Sequence, residues 1–340
     1  MSSGGGGVLV TGGAGFLGGH FVRRWLAQGG GEVVNLDLLT YAGSPARLGD
    51  LGSDPRYAFV RADVTDTRAV GDVFERFRPE AVVHFAAESH VTRSERDASG
   101  FNRTNVGGTR VVLQAAESAG VSRLIHVSTD EVYGPILQGA FREEGKLAGD
   151  GQATSAYAKS KALADDLARS FRDRLEVVVV RPTNCFGPWQ FPEKACARWI
   201  ARALSGRTVP VWGDGMYVRQ WLYAEDLARA IELILAAPSS ESVYNVGPRH
   251  DPEVTNLDLG RWLIEHAGLA PDRLVLTAYD RPEHDRRYAV DPGRIETLGW
   301  KPGDLWQQLE DTVTWYRGNE DWWRPLMGEA ESIYVDEETG

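Results

Sequence analysis

The sequence predicts an α/β protein, a doubly wound parallel sheet followed by a smaller C-terminal lobe. Three observations carry that expectation. Strand-like runs alternate with amphipathic helical stretches through the first 180 or so residues, the rhythm of a parallel sheet wrapped on both faces. Several of the runs are apolar without alternation, as "VVVVRP" at 177–182 is, which suits strands buried on both sides. A glycine-rich turn, Gly12-x-x-Gly15-x-x-Gly18, joins the first run to the first helical stretch.

Taken in order, the strands are "GVLVTG" (7–12), "EVVNLD" (32–37), "YAFVRAD" (57–63), "AVVHFAA" (81–87), "LIHVST" (124–129) and "EVVVVRP" (176–182). Beyond Pro182 the rhythm breaks at Pro188, Pro192, Pro210 and the Gly213–Gly215 turn. A helix at 224–237 and a strand "SVYNVG" at 242–247 then return to the main sheet. The expected division is 1–182 with 223–247 as the first domain, 183–222 and 248–330 as the lobe, and 331–340 as a disordered acidic tail.

At 340 residues, a chain buries roughly three-quarters of its unfolded surface, enough for a large core. Its 37 basic and 48 acidic residues give a net charge of -11. That balance argues against a general nucleic-acid binder, while leaving room for a local cationic site. Two cysteines, Cys185 and Cys196, build no disulfide framework and no metal-ligand spacing. No apolar run spans a membrane and no leader pattern is present, so a cytoplasmic location is expected.

The glycine turn has a specific use. Gly12 permits the turn, Gly15 lets backbone approach a pyrophosphate, and Gly18 lets helix pack on strand. The helix N-terminus then faces an anion. Asp37 closes the next strand 19 residues past Gly18, where a carboxylate binds ribose hydroxyls and repels a 2′-phosphate. NAD is therefore favoured over NADP. Asp63 suits the adenine edge or, equally, a backbone cap.

Tyr157 and Lys161 lie four apart on the predicted helix "AYAKSKALADDLARSF" and share a face. An ammonium beside a phenol favours the phenolate. Bringing a phenol from about 10 to near neutrality takes roughly 4 kcal/mol, to be supplied by Lys161 and the cofactor's positive ring.

"HVSTDEVYG" at 126–134 ends a buried strand in Thr129, Asp130 and Glu131. Such residues cap helices, and adjacent carboxylates also serve acid–base chemistry. The wider pattern separates the two. "VTGGAGFLGGHFVR", "NLDLLTYAG", "HFAAESHVTRS", "TNVGGT", "HVSTDEVYG", "YAKSK", "GPWQFPEK", "GDGMYVRQWLYAEDLARAI", "YNVG" and "EHDRRYAVDPGRI" together resemble the extended short-chain dehydrogenase/reductases that act on nucleotide sugars. Among these the resemblance is to the dTDP-glucose 4,6-dehydratases.

The resemblance implies a Rossmann-type domain in which Phe16, Leu17, Val64, Ala86, Ala87, Ser89 and Ser128 join the glycines, Asp37 and Asp63 around NAD. It implies that Tyr157 takes the proton of a sugar 4-hydroxyl, that Glu131 removes the C5 proton, and that Asp130 protonates the departing 6-hydroxyl. Thr129 would bond the 4-oxygen, with Ser89 also near the sugar. Asn184, Arg219 and Asn245 would hold the diphosphate, Glu193 and Lys194 the sugar and its phosphate, and Pro210 and Trp212 the base. His284 lies in a matching segment with no derived role.

Two helices, 104–120 and that of Tyr157, would pair with their copies in a four-helix homodimer contact. Departures from the family pattern are Thr92 for Asp, Cys185-Phe186 for Asn-Tyr, Trp212 for Tyr, Glu283 for Gly, and Pro182-Thr183; they leave the nucleotide open. The alternatives are a nucleotide-sugar 4-epimerase, which has no need of Glu131, and a non-catalytic NAD-binding protein.

Overall fold

The computed structural model describes residues 7–147, 155–238, 241–278 and 285–334. The run of strands comprises β1 (Val8–Thr11), β2 (Val33–Asp37), β3 (Tyr57–Arg61), β4 (Ala81–His84), β5 (Arg123–Val127) and β6 (Val177–Pro182). It continues with β7 (Cys185–Phe186), β8 (Val209–Trp212), β9 (Leu222–Tyr223), β10 (Val243–Val246) and β11 (Leu274–Thr277). Seven of these form one sheet in the order β10-β6-β5-β4-β1-β2-β3, with every pairing parallel. The expected doubly wound sheet is present, and 242–247 does return to it through β10.

The continuous apolar runs divide their side chains between two cores. Val8 and Val10 face the helices Phe16–Ala27 and Ala224–Ala236 through Phe21, Val22, Leu227 and Ile231. Leu9 between them faces the other side, with Val70, Phe74, Val112 and Leu113 of the helices Thr67–Phe77 and Thr109–Ala119. β6 divides likewise, Val178 and Val180 to the first core and Val177 and Val179 to the second. Period-2 geometry thus needs no polar face when both sides are covered.

A separate cluster is drawn from the remainder of the chain. Phe186 of β7 and Val211 of β8 meet there with Trp199, Ile200, Leu259, Leu263, Leu309 and Tyr316, the last six on helices Ala195–Leu204, Asn256–His266 and Leu305–Gly318. Two parallel pairs, β8 with β11 and β7 with β9, edge this lobe.

The C-terminus corrects one expectation. The acidic composition of 331–340 suggests a disordered tail, yet helix Met327–Ser332 runs into it and Ile333 and Tyr334 are buried. Glu331 is held by Arg202 at 2.7 Å and Arg207 at 2.5 Å, so its charge is neutralised by the lobe rather than solvated. Residues 335–340 lie outside the described residues.

Arg181 of β6 and Asp165 of helix Ala156–Arg169 form a two-pronged ion pair, with both bonds at 2.8 Å and both side chains inaccessible to solvent. Arg181 also donates to Tyr133 Oη at 2.5 Å and to the Glu143 carbonyl at 3.2 Å. Breaking a buried pair from one side costs about 3–5 kcal/mol; Arg169, 3.1 Å from Asp165, moderates this. Arg181→Met is expected to destabilise by about 3 kcal/mol in urea unfolding, and Arg181→Met/Asp165→Leu to regain most of the loss.

Candidate active site

The carboxyl ends of the strands open into a cavity of about 440 Å³, where ligands of open α/β sheets bind. The runs read from the sequence extend past the strands proper, and their surplus residues line this space: Gly12 after β1, Asp63 after β3, Ala86 and Ala87 after β4, Ser128 and Thr129 after β5.

At one end lies the glycine turn. Gly12 has φ +72°, and a Cβ there would sit 2.7 Å from the Ala86 nitrogen. A Cβ at Gly18 would lie 2.3 Å from the Gly12 carbonyl oxygen, so this helix approaches the strand only with glycine at that position. Helix Phe16–Ala27 starts with no side-chain cap, its N-terminus on the cavity with Phe16 and Leu17. Asp37 accepts from Ala14 N at 2.9 Å and Leu39 N at 2.8 Å, and burial raises its pKa despite these bonds. Gly15 N–H also bears on this carboxylate, which borders the cavity. Asp63 accepts from Thr65 N at 2.8 Å, the capping role, and it also lines the cavity beside Val64. Ser128 Oγ is buried with no partner in the protein. The glycine cradle, the carboxylate and this orphaned hydroxyl fit a dinucleotide.

At the other end β5 delivers the triplet. Thr129 caps the turn Asp130–Tyr133, its Oγ1 accepting from Glu131 N at 3.4 Å and donating to Asp130 Oδ1 at 3.3 Å. The cap is therefore Thr129, while both carboxyl groups border the cavity. Asp130 Oδ2 has no protein partner. Burial, then the neighbouring Glu131 charge, push the Asp130 pKa up to about 7, opposed by Arg219.

Helix Ala156–Arg169, capped by Ser155, brings Tyr157 and Lys161 to the same wall. Lys161 Nζ donates to the Val127 carbonyl at 2.7 Å, which fastens the ammonium to the end of β5. Burial lowers its pKa to about 8, against the pull of Asp165. The expected approach of Tyr157 to neutrality draws on Lys161 and the cofactor's positive ring together; the protein's own groups act the other way. Burial and the Glu131 and Asp130 charges hold the phenol well above its ordinary value, with Thr129 opposing. A phenolate here needs further positive charge at the site.

A second cavity of about 180 Å³ shares Glu131, Asn184 and Lys194 with the first. Pro210, Trp212, Arg219 and Thr92 line it. Arg219 is buried, donating to the Val218 and Asp285 carbonyls at 2.8 Å each, with Tyr288 under its guanidinium at 4.6 Å. In the first cavity, Glu193 accepts from Arg93 and Tyr41 at 3.2 Å each, and Lys194 Nζ donates to the Ser89 carbonyl at 2.6 Å. Cys185 borders the first cavity, whereas Phe186 is fully buried in the lobe core.

One expected ligand is corrected. Asn245 is fully buried and lies on neither cavity; its Oδ1 accepts from Tyr133 Oη at 2.8 Å and its Nδ2 donates to the Phe141 carbonyl at 3.1 Å. Its amide is consumed in joining β10 to the triplet turn. His284 lies outside the described residues. Sequence reasoning missed Asn256, whose Oδ1 is buried without a protein partner, along with His90, Arg198, Tyr288 and Tyr334 on the second cavity. A capping box, Thr255 with Asp258, marked the helix of Asn256 but not the direction of its amide.

Residues 8–247 match the model of the NAD dependent epimerase/dehydratase family. The chain is 42% identical over 334 residues to a dTDP-glucose 4,6-dehydratase of Streptomyces niveus, covering 96% of this chain and 97% of the relative. Among solved structures, a dTDP-glucose 4,6-dehydratase of Streptomyces venezuelae with NAD bound aligns at TM-score 0.88 and 43% identity, covering 94% of this chain and 99% of that one. A UDP-glucose 4-epimerase of Thermotoga maritima aligns at TM-score 0.83 and 29% identity, covering 92% of this chain and 99% of that one.

The raised Asp130 pKa sets a pH dependence. Below about pH 4 the group is protonated whether folded or unfolded. Between there and about 7 the folded chain alone keeps the proton, so this contribution to stability falls as pH rises. Asp130→Asn is expected to leave the midpoint of thermal unfolding unchanged at pH 4 and to raise it at pH 8. An equal shift at both values contradicts the assignment.

Proposed function

The chain belongs to the NAD dependent epimerase/dehydratase family, and on that premise we propose that it converts dTDP-glucose to the 4-keto-6-deoxy sugar as a hydro-lyase. The observation that carries this reading is Asp130, a buried carboxyl at the cavity with its pKa near 7 and an ionisable Glu131 beside it. Elimination of water needs a base for C–H and an acid for C–O, so two carboxyls in different protonation states suit it.

NAD, held by Gly12, Gly15, Gly18, Asp37 and the residues around them, supplies when bound a hydride acceptor at C4, a hydride donor at C6 and a positive ring. Tyr157 takes the 4-hydroxyl proton, with Lys161 and Thr129 holding its oxygen's surroundings. Once C4 is a ketone, the C5 hydrogen is acidic, and Glu131 removes it. Asp130 gives its proton to the 6-hydroxyl as the C6–O bond breaks and water leaves, and a proton returns to C5 when C6 is reduced. Burial raises the Asp130 pKa to about 7, so a large share of the carboxyl holds its proton near neutrality, where an exposed aspartate would have lost it. Glu193 and Lys194 face the sugar, Asn184 and Arg219 take the diphosphate, and Pro210 and Trp212 flank the base. In this division the lobe of 183–222 and 248–330 grips the nucleotide, while 1–182 with 223–247 carries the cofactor.

A 4-epimerase reading uses the same cofactor and tyrosine, and the fold does not distinguish the two. It leaves a protonated carboxyl with nothing to protonate. With dTDP-glucose deuterated at C4, the expected product is a 4-keto-6-deoxy sugar labelled at C6. Label retained at C4 in a galactose-configured product supports the epimerase instead. Glu131→Gln is expected to oxidise C4 while losing at least 100-fold in dehydration, read by single-turnover absorbance and product analysis.

The reading includes a cytoplasmic homodimer, in line with two unbridged cysteines and an apolar Leu163 that is 52% exposed on the Tyr157 helix. Leu163→Glu is expected to yield monomers in sedimentation velocity. A dimer that persists argues for a different face.

A further inference from the structure

We propose that the C-terminal segment belongs to the nucleotide site, with Tyr334 serving as an aromatic wall of the second cavity and tying that wall to the sugar-facing loop. This rests on reading that cavity as a site for a nucleoside diphosphate.

The segment is fastened at two levels. Helix Met327–Ser332 is joined by Glu331 to Arg202 and Arg207, charges at and just beyond the end of helix Ala195–Leu204. Two residues further, Tyr334 turns inward and is 6% exposed. Its Oη donates to the Glu193 carbonyl at 2.5 Å and meets His90 Nε2 at 3.1 Å. The Arg198 guanidinium lies 4.0 Å from the ring centroid, and the Trp212 ring 6.0 Å away at 63°.

Two consequences follow from this geometry. With its hydroxyl engaged by the protein, Tyr334 offers the cavity a ring rather than a hydrogen-bonding group. Trp212, Tyr334 and Arg198 border the same space, and rings beside guanidinium groups suit a planar base. Secondly, the residue whose carbonyl holds Tyr334 is Glu193, whose carboxylate accepts from Arg93 and Tyr41 in the first cavity. One tyrosine therefore touches the nucleotide wall and the backbone of the sugar-facing loop. The ring contact sets nucleotide affinity, and the hydroxyl tether sets the loop that supports it.

The test uses the full-length, NAD-loaded protein and calorimetric titration with dTDP. Tyr334→Ala is expected to raise the dTDP Kd about fivefold or more, the low end of what loss of an aromatic–base contact costs, with bound NAD unchanged and KM for dTDP-glucose rising in step. Tyr334→Phe, which keeps the ring and loses the tether, is expected to weaken dTDP binding less than Tyr334→Ala does. Tyr334→Leu, which keeps bulk without a ring, should behave as the alanine variant. Wild-type dTDP affinity in the Ala and Leu variants overturns the proposal, as does parallel loss of NAD and dTDP in both, which makes Tyr334 a folding residue only. If the wild-type protein fails to bind dTDP but binds UDP, CDP or GDP, the nucleotide assignment falls instead, and the same variants titrated with the nucleotide that binds decide the role of Tyr334.

Discussion

The buried pair between Arg181 and Asp165 holds the elements that line the first cavity in one frame. Asp165 lies one turn beyond Lys161 on the helix that presents Tyr157, and Arg181 lies on β6 beside β5, the strand that delivers the triplet. Arg181 also reaches Tyr133, the last residue of the turn that carries Asp130 and Glu131. Tyr133 in turn engages Asn245 on β10. A guanidinium with its planar set of donors can serve three such partners at once, which an ammonium cannot do with the same geometry. The Tyr157 phenol and the Asp130 and Glu131 carboxyls are thus referred to one buried cation.

Around that frame the site concentrates charge that water would otherwise dilute. The Glu131 charge bears on Asp130, Tyr157 and Arg219, and each shift of Asp130, Tyr157, Lys161 and Arg219 has burial as its leading cause. Burial favours neutral forms, so the protein alone raises a carboxyl pKa to about 7 and keeps a phenol unionised. That suits a site whose proton transfers begin only when further positive charge and a substrate are present. The same argument sets Asp130 apart: its carboxyl is buried, with one oxygen that has no partner in the protein.

The lobe and the C-terminal segment complete what the sheet begins. Glu193 and Lys194 face the sheet's cavity, while Arg198 on the helix they precede borders the second. Tyr334 locks against the Glu193 backbone, so the segment 327–334 closes on the loop between the two cavities. Residues distant in sequence share one wall because each is anchored locally, Tyr334 by its hydroxyl, Arg219 by two carbonyls and Lys194 by the Ser89 carbonyl.

Much of this was legible before any coordinates. Unalternating runs such as Val177–Val180 announced strands covered on both faces, the glycine spacing announced the turn and its helix, and Tyr157–Lys161 announced a shared helical face. These are local signals, set by backbone conformation and by the 2.0 and 3.6 residue periods. Composition misled at the C-terminus, where an acidic stretch hid Glu331 paired with two arginines and Tyr334 buried among aromatic and cationic groups. Motif position misled at Asn245, whose amide turns away from the cavities to join β10 to Tyr133. Only tertiary structure decided that Thr129 and not the carboxylates caps the turn, that Asp130 is the enclosed acid, and that Asn256 and Tyr334 reach the second cavity. Which way a polar side chain points is settled by the partners folding brings to it from elsewhere in the chain, and those partners leave no mark in local sequence.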